Sequence, residues 1–182
     1  GLRECAERGL TVYASRSGAP SQTYDWLAGS DYDYSLLGDG DTVDIGSVRV
    51  EALATPGHSP EHLTYLIRDR AGGDRLAAAT GDFLFVEGLG RPRLVPSASE
   101  AAEAETDARN AFAQSLQSFR ALPDAAEVWP LHGAGTRCGY APSLRPSSTV
   151  AREKASNPIV RAAENDADLD EALQQPYPVS PP

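Results

Sequence analysis

The sequence predicts an α/β domain, and three observations carry that expectation. Short apolar runs with strand-like alternation recur between Leu10 and Pro130, the pattern of half-buried strands. A long segment with Ala108, Phe112, Leu116 and Phe119 on one face interrupts them at helical spacing. The residues able to do chemistry fall in glycine-containing loops directly after strands, where a rigid scaffold commonly presents a site.

The elements follow in order. Leu2, Cys5 and Ala6 fall at i, i+3 and i+4 and predict an opening helix over about 1–8. Leu10-Thr-Val-Tyr-Ala14 predicts a strand, and the Gly-, Ser- and Asp-rich stretch 16–40 predicts a loop. Val43 and Ile45 alternate with polar residues, then Gly46-Ser47 turns the chain into Val48, Val50 and Ala52, which predicts a β-hairpin. Leu63 to Ile67 and Leu76 to Ala79 predict another strand pair around Ala71-Gly-Gly-Asp74. Ser97 with Glu100 forms a capping box that opens the amphipathic helix, which ends near Pro123. Glu127 to Pro130 is a last short strand. Beyond Tyr140 the composition shifts, with half of the 14 prolines in the last 42 residues. The domain is therefore expected over 1–140, with 141–182 a C-terminal extension carrying one or two short helices near 149–156 and 164–174.

Composition bounds the function. A chain of 182 residues fits one domain with a real core. A net charge of −10 and a pI near 4.7 argue against nucleic acid or an anionic membrane as partner. No apolar run is long enough for a transmembrane helix. The two cysteines, Cys5 and Cys138, are too few for a disulfide framework, and a reduced, cytoplasmic setting is expected. The chain has no methionine, even at position 1, and its first helix is already under way at Leu2. A piece of a longer protein is expected.

Three loops concentrate the chemistry: Thr55-Pro-Gly-His58, Thr80-Gly-Asp82 and Leu131-His132-Gly133. Imidazole and carboxylate ligands at strand ends, beside glycine that allows close backbone approach, suit a metal site. Taken singly, a loop histidine or a Gly-Asp turn is more often structural.

Order and spacing add a family resemblance. Thr55-Pro-Gly-His58-Ser-Pro-Glu-His62 resembles the TPGH metal loop of the metallo-β-lactamase superfamily, in the form used by its persulfide dioxygenase and β-lactamase–rhodanese branch. Gly81 to Leu94 is similar to that branch's loop from the metal-binding aspartate into a Gly-Arg motif. His132-Gly-Ala-Gly-Thr-Arg-Cys138-Gly resembles its HGAG-x-x-CG loop, and Ser147 to Pro158 the segment after it. The resemblance implies an αββα sandwich of the metallo-β-lactamase type, here without its N-terminal strands and its first metal loop, His-x-His-x-Asp-His.

It also implies roles. His58 and Asp82 are expected as metal ligands, and His132 as a catalytic pocket residue that binds a second metal in other superfamily members. Arg91 matches the Gly-Arg motif and is expected to meet an anionic thiol substrate, with a solvated loop arginine as the alternative. Arg93 stands where the family has an aspartate. His62 reads as structural. Cys138 reads either as a substrate-binding thiol or as an inert core residue. The implied cofactor is Fe(II), with Zn(II) the alternative. The implied reaction is oxidation of glutathione persulfide, or a similar low-molecular-weight persulfide, by O₂ to sulfite. A zinc-dependent thioester hydrolase of the glyoxalase II type and a non-catalytic thiol-binding remnant are the alternatives. A homodimer is compatible with the resemblance. A non-haem iron site uses two histidines and one carboxylate, of which this chain supplies His58 and Asp82, so its own hold on iron is expected to be weak.

Overall fold

The computed structural model describes residues 1–17, 24–72, 75–90 and 101–174, apart from the side chains of 101–106, 166 and 174. The chain opens with helix α1 (Leu2–Glu7) and strand β1 (Val12–Ser15), two residues later than the alternation at Leu10 suggests. Strand β2 (Tyr34–Leu37) pairs parallel to β1. The stretch 16–40, expected as loop, therefore contains a strand. Its four residues sit among Asp and Gly, too short a run to announce a period, and its pairing with β1 is long-range. Ala6, Val12, Ala14 and Leu27 form a small buried cluster here, with Tyr24, Trp26, Tyr32 and Tyr34 against it.

The main sheet begins with the predicted hairpin, β3 (Thr42–Ile45) and β4 (Val48–Ala54), followed by β5 (Leu63–Asp69) and β6 (Leu76–Gly81). Two very short strands, β7 (Leu84–Phe85) and β8 (Gly88–Gly90), follow directly. Helix α2 (Ala101–Arg120) then crosses over to β9 (Glu127–Pro130). The capping pair Ser97 and Glu100 lies outside the described residues. Strands β10 (Gly139–Tyr140) and β11 (Ser148–Thr149) lead into α3 (Val150–Ser156), α4 (Pro158–Ala162) and α5 (Asp166–Gln174). Three short helices thus stand where one or two were expected. Asn157 separates the first two, its side chain accepting from the backbone N–H of Ile159 and Val160 as an N-cap, with Pro158 at the first turn.

Six strands form one sheet in the order β11-β9-β6-β5-β4-β3. Pairing is antiparallel from β3 to β6, parallel between β6 and β9, and antiparallel again at β11. Strands β4, β6 and β9 consequently all run the same way. Their C-terminal ends open at one edge of the sheet, which is where a mixed sheet of this kind places its ligands. A three-stranded sheet, β10-β8-β7, lies beyond that edge.

The core explains why the elements stay together. Phe112, Leu116 and Phe119 of α2 are buried with Phe83, Leu66, Leu76, Ala78 and Val128 of the sheet region. Phe83 meets Phe112 and Phe119 edge-on, at centroid separations of 6.0 and 6.4 Å, a favoured aromatic geometry. Val150, Val160, Ala163 and Leu169 from the last three helices join the same cluster. Removing such apolar surface from water is the main favourable term in folding.

Candidate metal centre

The direction of β4, β6 and β9 fixes which residues meet. His58 lies just beyond β4, Asp82 just beyond β6 and His132 just beyond β9. The backbone N–H of Leu131 donates to Gly81 O at 3.0 Å, locking the ends of the two parallel strands side by side. Asp82 is the hub. Its Oδ2 is 4.0 Å from His58 Nε2, and its Oδ1 is 3.4 Å from His132 Nε2. His58 and Asp82 are largely buried, and His132 is at the rim, 37% exposed. The His132 and Phe85 rings meet in a T-shaped arrangement, 6.0 Å between centroids.

His62 plays another part. Its Nε2 accepts the backbone N–H of Asp82 at 3.2 Å, which leaves Nδ1 to carry the proton and donate to Thr55 Oγ1 at 2.9 Å. Thr55 Oγ1 lies 2.9 Å from Thr64 Oγ1, both residues buried. That tautomer follows from the hydrogen-bond network. With both nitrogens engaged, His62 orients the backbone of the hub instead of binding a metal, as its position at the start of β5 suggested. Burial holds its pKa down to about 4 from the ordinary 6.5, against the pull of Asp82 and with a smaller push from His58.

Glycine explains two close approaches. Gly81 sits at φ +54 where the β6–β9 register shifts, and a Cβ there would stand 2.7 Å from His62 Nε2. A Cβ on Gly90 would stand 1.6 Å from the carbonyl oxygen of Asp82. Strand β8 can therefore lie against the hub only with glycine at that position. Strand β10 pairs with β8, Gly139 opposite Gly90, and this returns the loop after His132 across the hub. In that loop the N–H of Cys138 donates to Thr136 Oγ1 at 3.1 Å. The ligand atoms of Asp82, His132 and Cys138 all lie within 4.8 Å of one another.

Asp82 Oδ1 is buried and receives no hydrogen bond, although His132 Nε2 is only 3.4 Å away. The distance suits an ion pair with a protonated ring, but the alignment is not that of a hydrogen bond. An unpartnered buried carboxylate oxygen of this kind is costly. Facing the His132 imidazole nitrogen, with His58 on the carboxylate's other oxygen, it suits a divalent cation. The donor set fits a metal.

Beside His58 and Asp82 opens a cleft of about 260 Å³, whose walls include Tyr13, Ser15, Tyr24, Glu61 and Tyr65. Glu61 Oε2 is buried there without a hydrogen bond. Burial raises the Tyr24 hydroxyl pKa, with the Glu61 charge adding to it, and burial likewise raises that of Tyr65. Little in the sequence marks these residues, since β1, the Tyr24 segment and β5 meet only in the fold. Glu61 alone had a signal, its place inside the His58 loop. Arg91 and Arg93 lie outside the described residues. Both cysteines are free, with Cys5 exposed on α1.

Known proteins resemble this chain in sequence and fold. No protein-family model matches the sequence. A probable metallo-hydrolase of Burkholderia pseudomallei is 33% identical over 148 residues, 78% of this chain and 45% of the relative. A hydroxyacylglutathione hydrolase of Acidiphilium cryptum is 36% identical over 148 residues, 71% of this chain and 56% of the relative. A metallo-β-lactamase structure from Staphylococcus aureus superposes with a TM-score of 0.83 at 28% identity, over 98% of this chain and 51% of that one. The crystal structure of ETHE1 from Myxococcus xanthus gives a TM-score of 0.59 at 27% identity, over 96% and 62%. The chain belongs to the metallo-β-lactamase superfamily, whose fold is typically enzymatic and metal-dependent. It spans about half the length of the relatives it matches. Among the described residues no helix is long and apolar enough to cross a membrane.

Proposed function

We propose that the protein is an iron-dependent sulfur dioxygenase acting on glutathione persulfide or a similar low-molecular-weight persulfide. The observation that carries this reading is the HGAG-x-x-CG loop, folded so that Cys138 and His132 face the Asp82 carboxylate. That loop, with those at 55–62 and 81–94, resembles the persulfide dioxygenase branch of the superfamily. The likeness to the Myxococcus ETHE1 structure agrees with it.

The reaction balances as persulfide, O₂ and water giving thiol, sulfite and two protons. A bound Fe(II) would supply redox chemistry toward O₂ and open positions for ligands. His58 and Asp82 are the residues here that would hold it. His132, beside the other oxygen of Asp82, stands where its imidazole can pass a proton. His62 keeps the Asp82 backbone in place, the kind of support on which metal sites depend. The cleft lined by tyrosines and Glu61 would take the body of the thiol, and Arg91 is assigned to an anionic group of it. The proposed partners are thus a small thiol or persulfide and O₂, in a cytoplasmic setting.

A specific observation favours a second reading. His58 and His132 approach different oxygens of the one carboxylate, so Asp82 with a histidine on each oxygen would hold two metal ions, which would supply hydroxide for hydrolysis. That is a thioester hydrolase, in line with the Acidiphilium relative. The two are separated by oxygen-electrode traces with glutathione persulfide beside a thioester hydrolysis assay. Oxygen uptake in the Fe(II) form, little with zinc, and its loss in His58→Ala are expected. Hydrolysis supported by zinc, with no oxygen uptake in iron, would overturn the proposal.

A further inference from the structure

We propose that Cys138 is a metal ligand, and that Asp82 Oδ1, His132 Nε2 and Cys138 Sγ together hold a thiophilic divalent cation such as Zn²⁺, without help from His58. The inference rests on the reading of Asp82 as a metal-binding carboxylate but not on the sulfur chemistry proposed above.

Three independent observations converge. The three ligand atoms lie within 4.8 Å of one another, and the described residues contain no other such group of three. The carboxylate oxygen that faces His132 is buried and lacks a donor, so a cation would answer an existing deficit. The thiol is brought there by long-range structure: the β8–β10 ladder pairs Gly139 with Gly90, and Gly90 lies against Asp82.

The geometry is near what one ion needs. Around a tetrahedral zinc, with bonds of about 2.0–2.3 Å, neighbouring ligand atoms stand roughly 3.3–3.7 Å apart. His132 Nε2 and Asp82 Oδ1 are already 3.4 Å apart. The thiol needs at most about an ångström of side-chain rotation to reach the same spacing. Binding converts the thiol to a thiolate bonded to the ion, with one proton released to solvent. Three protein ligands leave the fourth position open, the arrangement of a reactive and not a closed structural site. A mixed S, N, O set prefers zinc, cobalt or cadmium to magnesium or calcium, and ranks Fe(II) below Zn(II).

The test uses the 182-residue chain and Co(II) as a spectroscopic probe. Wild type and Cys5→Ser are expected to show the near-ultraviolet thiolate-to-cobalt charge-transfer band. Cys138→Ser should lose it, and its Zn²⁺ affinity should fall by at least about 100-fold, beyond the 10–100-fold typical of losing a supporting group. His58→Ala should keep the band, which separates this site from the iron site proposed above. A measurement without variants guards against misfolding: Zn²⁺ should slow alkylation of Cys138 in the wild type while Cys5 stays reactive. Cobalt bound with no thiolate band, a band that vanishes with Cys5, or equal alkylation of Cys138 with and without zinc would each overturn the proposal. None of those results would touch the iron reading of His58 and Asp82.

Discussion

At Asp82 the buried Oδ1 lies 3.4 Å from His132 Nε2 with no hydrogen bond to offset its desolvation. Such an atom costs about 1–3 kcal/mol. Asp82→Ala is therefore expected to stabilise the metal-free chain by about 1 kcal/mol, read as a slight rise in denaturation midpoint; a clear fall would show the carboxylate to be structural. His62 makes the opposite case. Its folded pKa of about 4 lies below the ordinary 6.5, so the unfolded chain binds the extra proton between those values. Stability from a neutral His62 is fully present above pH 6.5 and is lost as pH falls toward 4, by about 3 kcal/mol. Denaturant midpoints across that window should fall less steeply in His62→Asn than in the wild type; identical slopes would refute the assignment. Gly81→Ala should cost about 1–3 kcal/mol, since the left-handed backbone and the crowding on His62 act together. At this scale His58, Asp82 and His132 were legible in the sequence because each follows a strand and neighbours glycine. Tyr24 and Tyr65 were not, because their proximity comes from elements distant in sequence.

Among the elements, the strands long enough to show a period were legible and the shortest were not. The β3–β4 hairpin and β5, β6 and β9 stand where alternation and turn residues put them. Strands β7, β8 and β10 have two or three residues each and lie within stretches that read as loop. They depend on pairing, and on a buried polar support. Glu153 is fully buried, and its Oε2 accepts from the Glu87 backbone N–H and from Asn157 Nδ2, both at 2.9 Å. Asn157 Nδ2 also donates to Gly88 O at 2.9 Å. These bonds hold the β7–β8 turn, where Glu87 takes a positive φ of 57. Asn157→Ala leaves Glu153 short of a donor and should cost about 2–4 kcal/mol. Thermal denaturation measures it, and a change within experimental error would mean the turn holds itself.

For the molecule as a whole, one core joins α2, the six-stranded sheet and the last three helices. Proline content marks a change after Tyr140, yet Val150, Val160 and Leu169 are buried with Phe112 and Leu116. A chain ending at Tyr140 should therefore lose cooperative unfolding, visible in a denaturant titration followed by circular dichroism. Contact across the core was not legible, because the apolar residues of short helices carry no mark of what they pack against. The site's position was, since β4, β6 and β9 run the same way and bring three loops together over 74 residues of chain, from His58 to His132. Every role proposed for this edge depends on its binding metal through Asp82. The most direct measurement is elemental analysis of the desalted chain after exposure to Zn²⁺, wild type beside Asp82→Ala, with far-ultraviolet circular dichroism recorded on both. Close to one equivalent is expected in the wild type and almost none in the variant at equal helix and strand content; equal zinc in both would mean that Asp82 holds no metal.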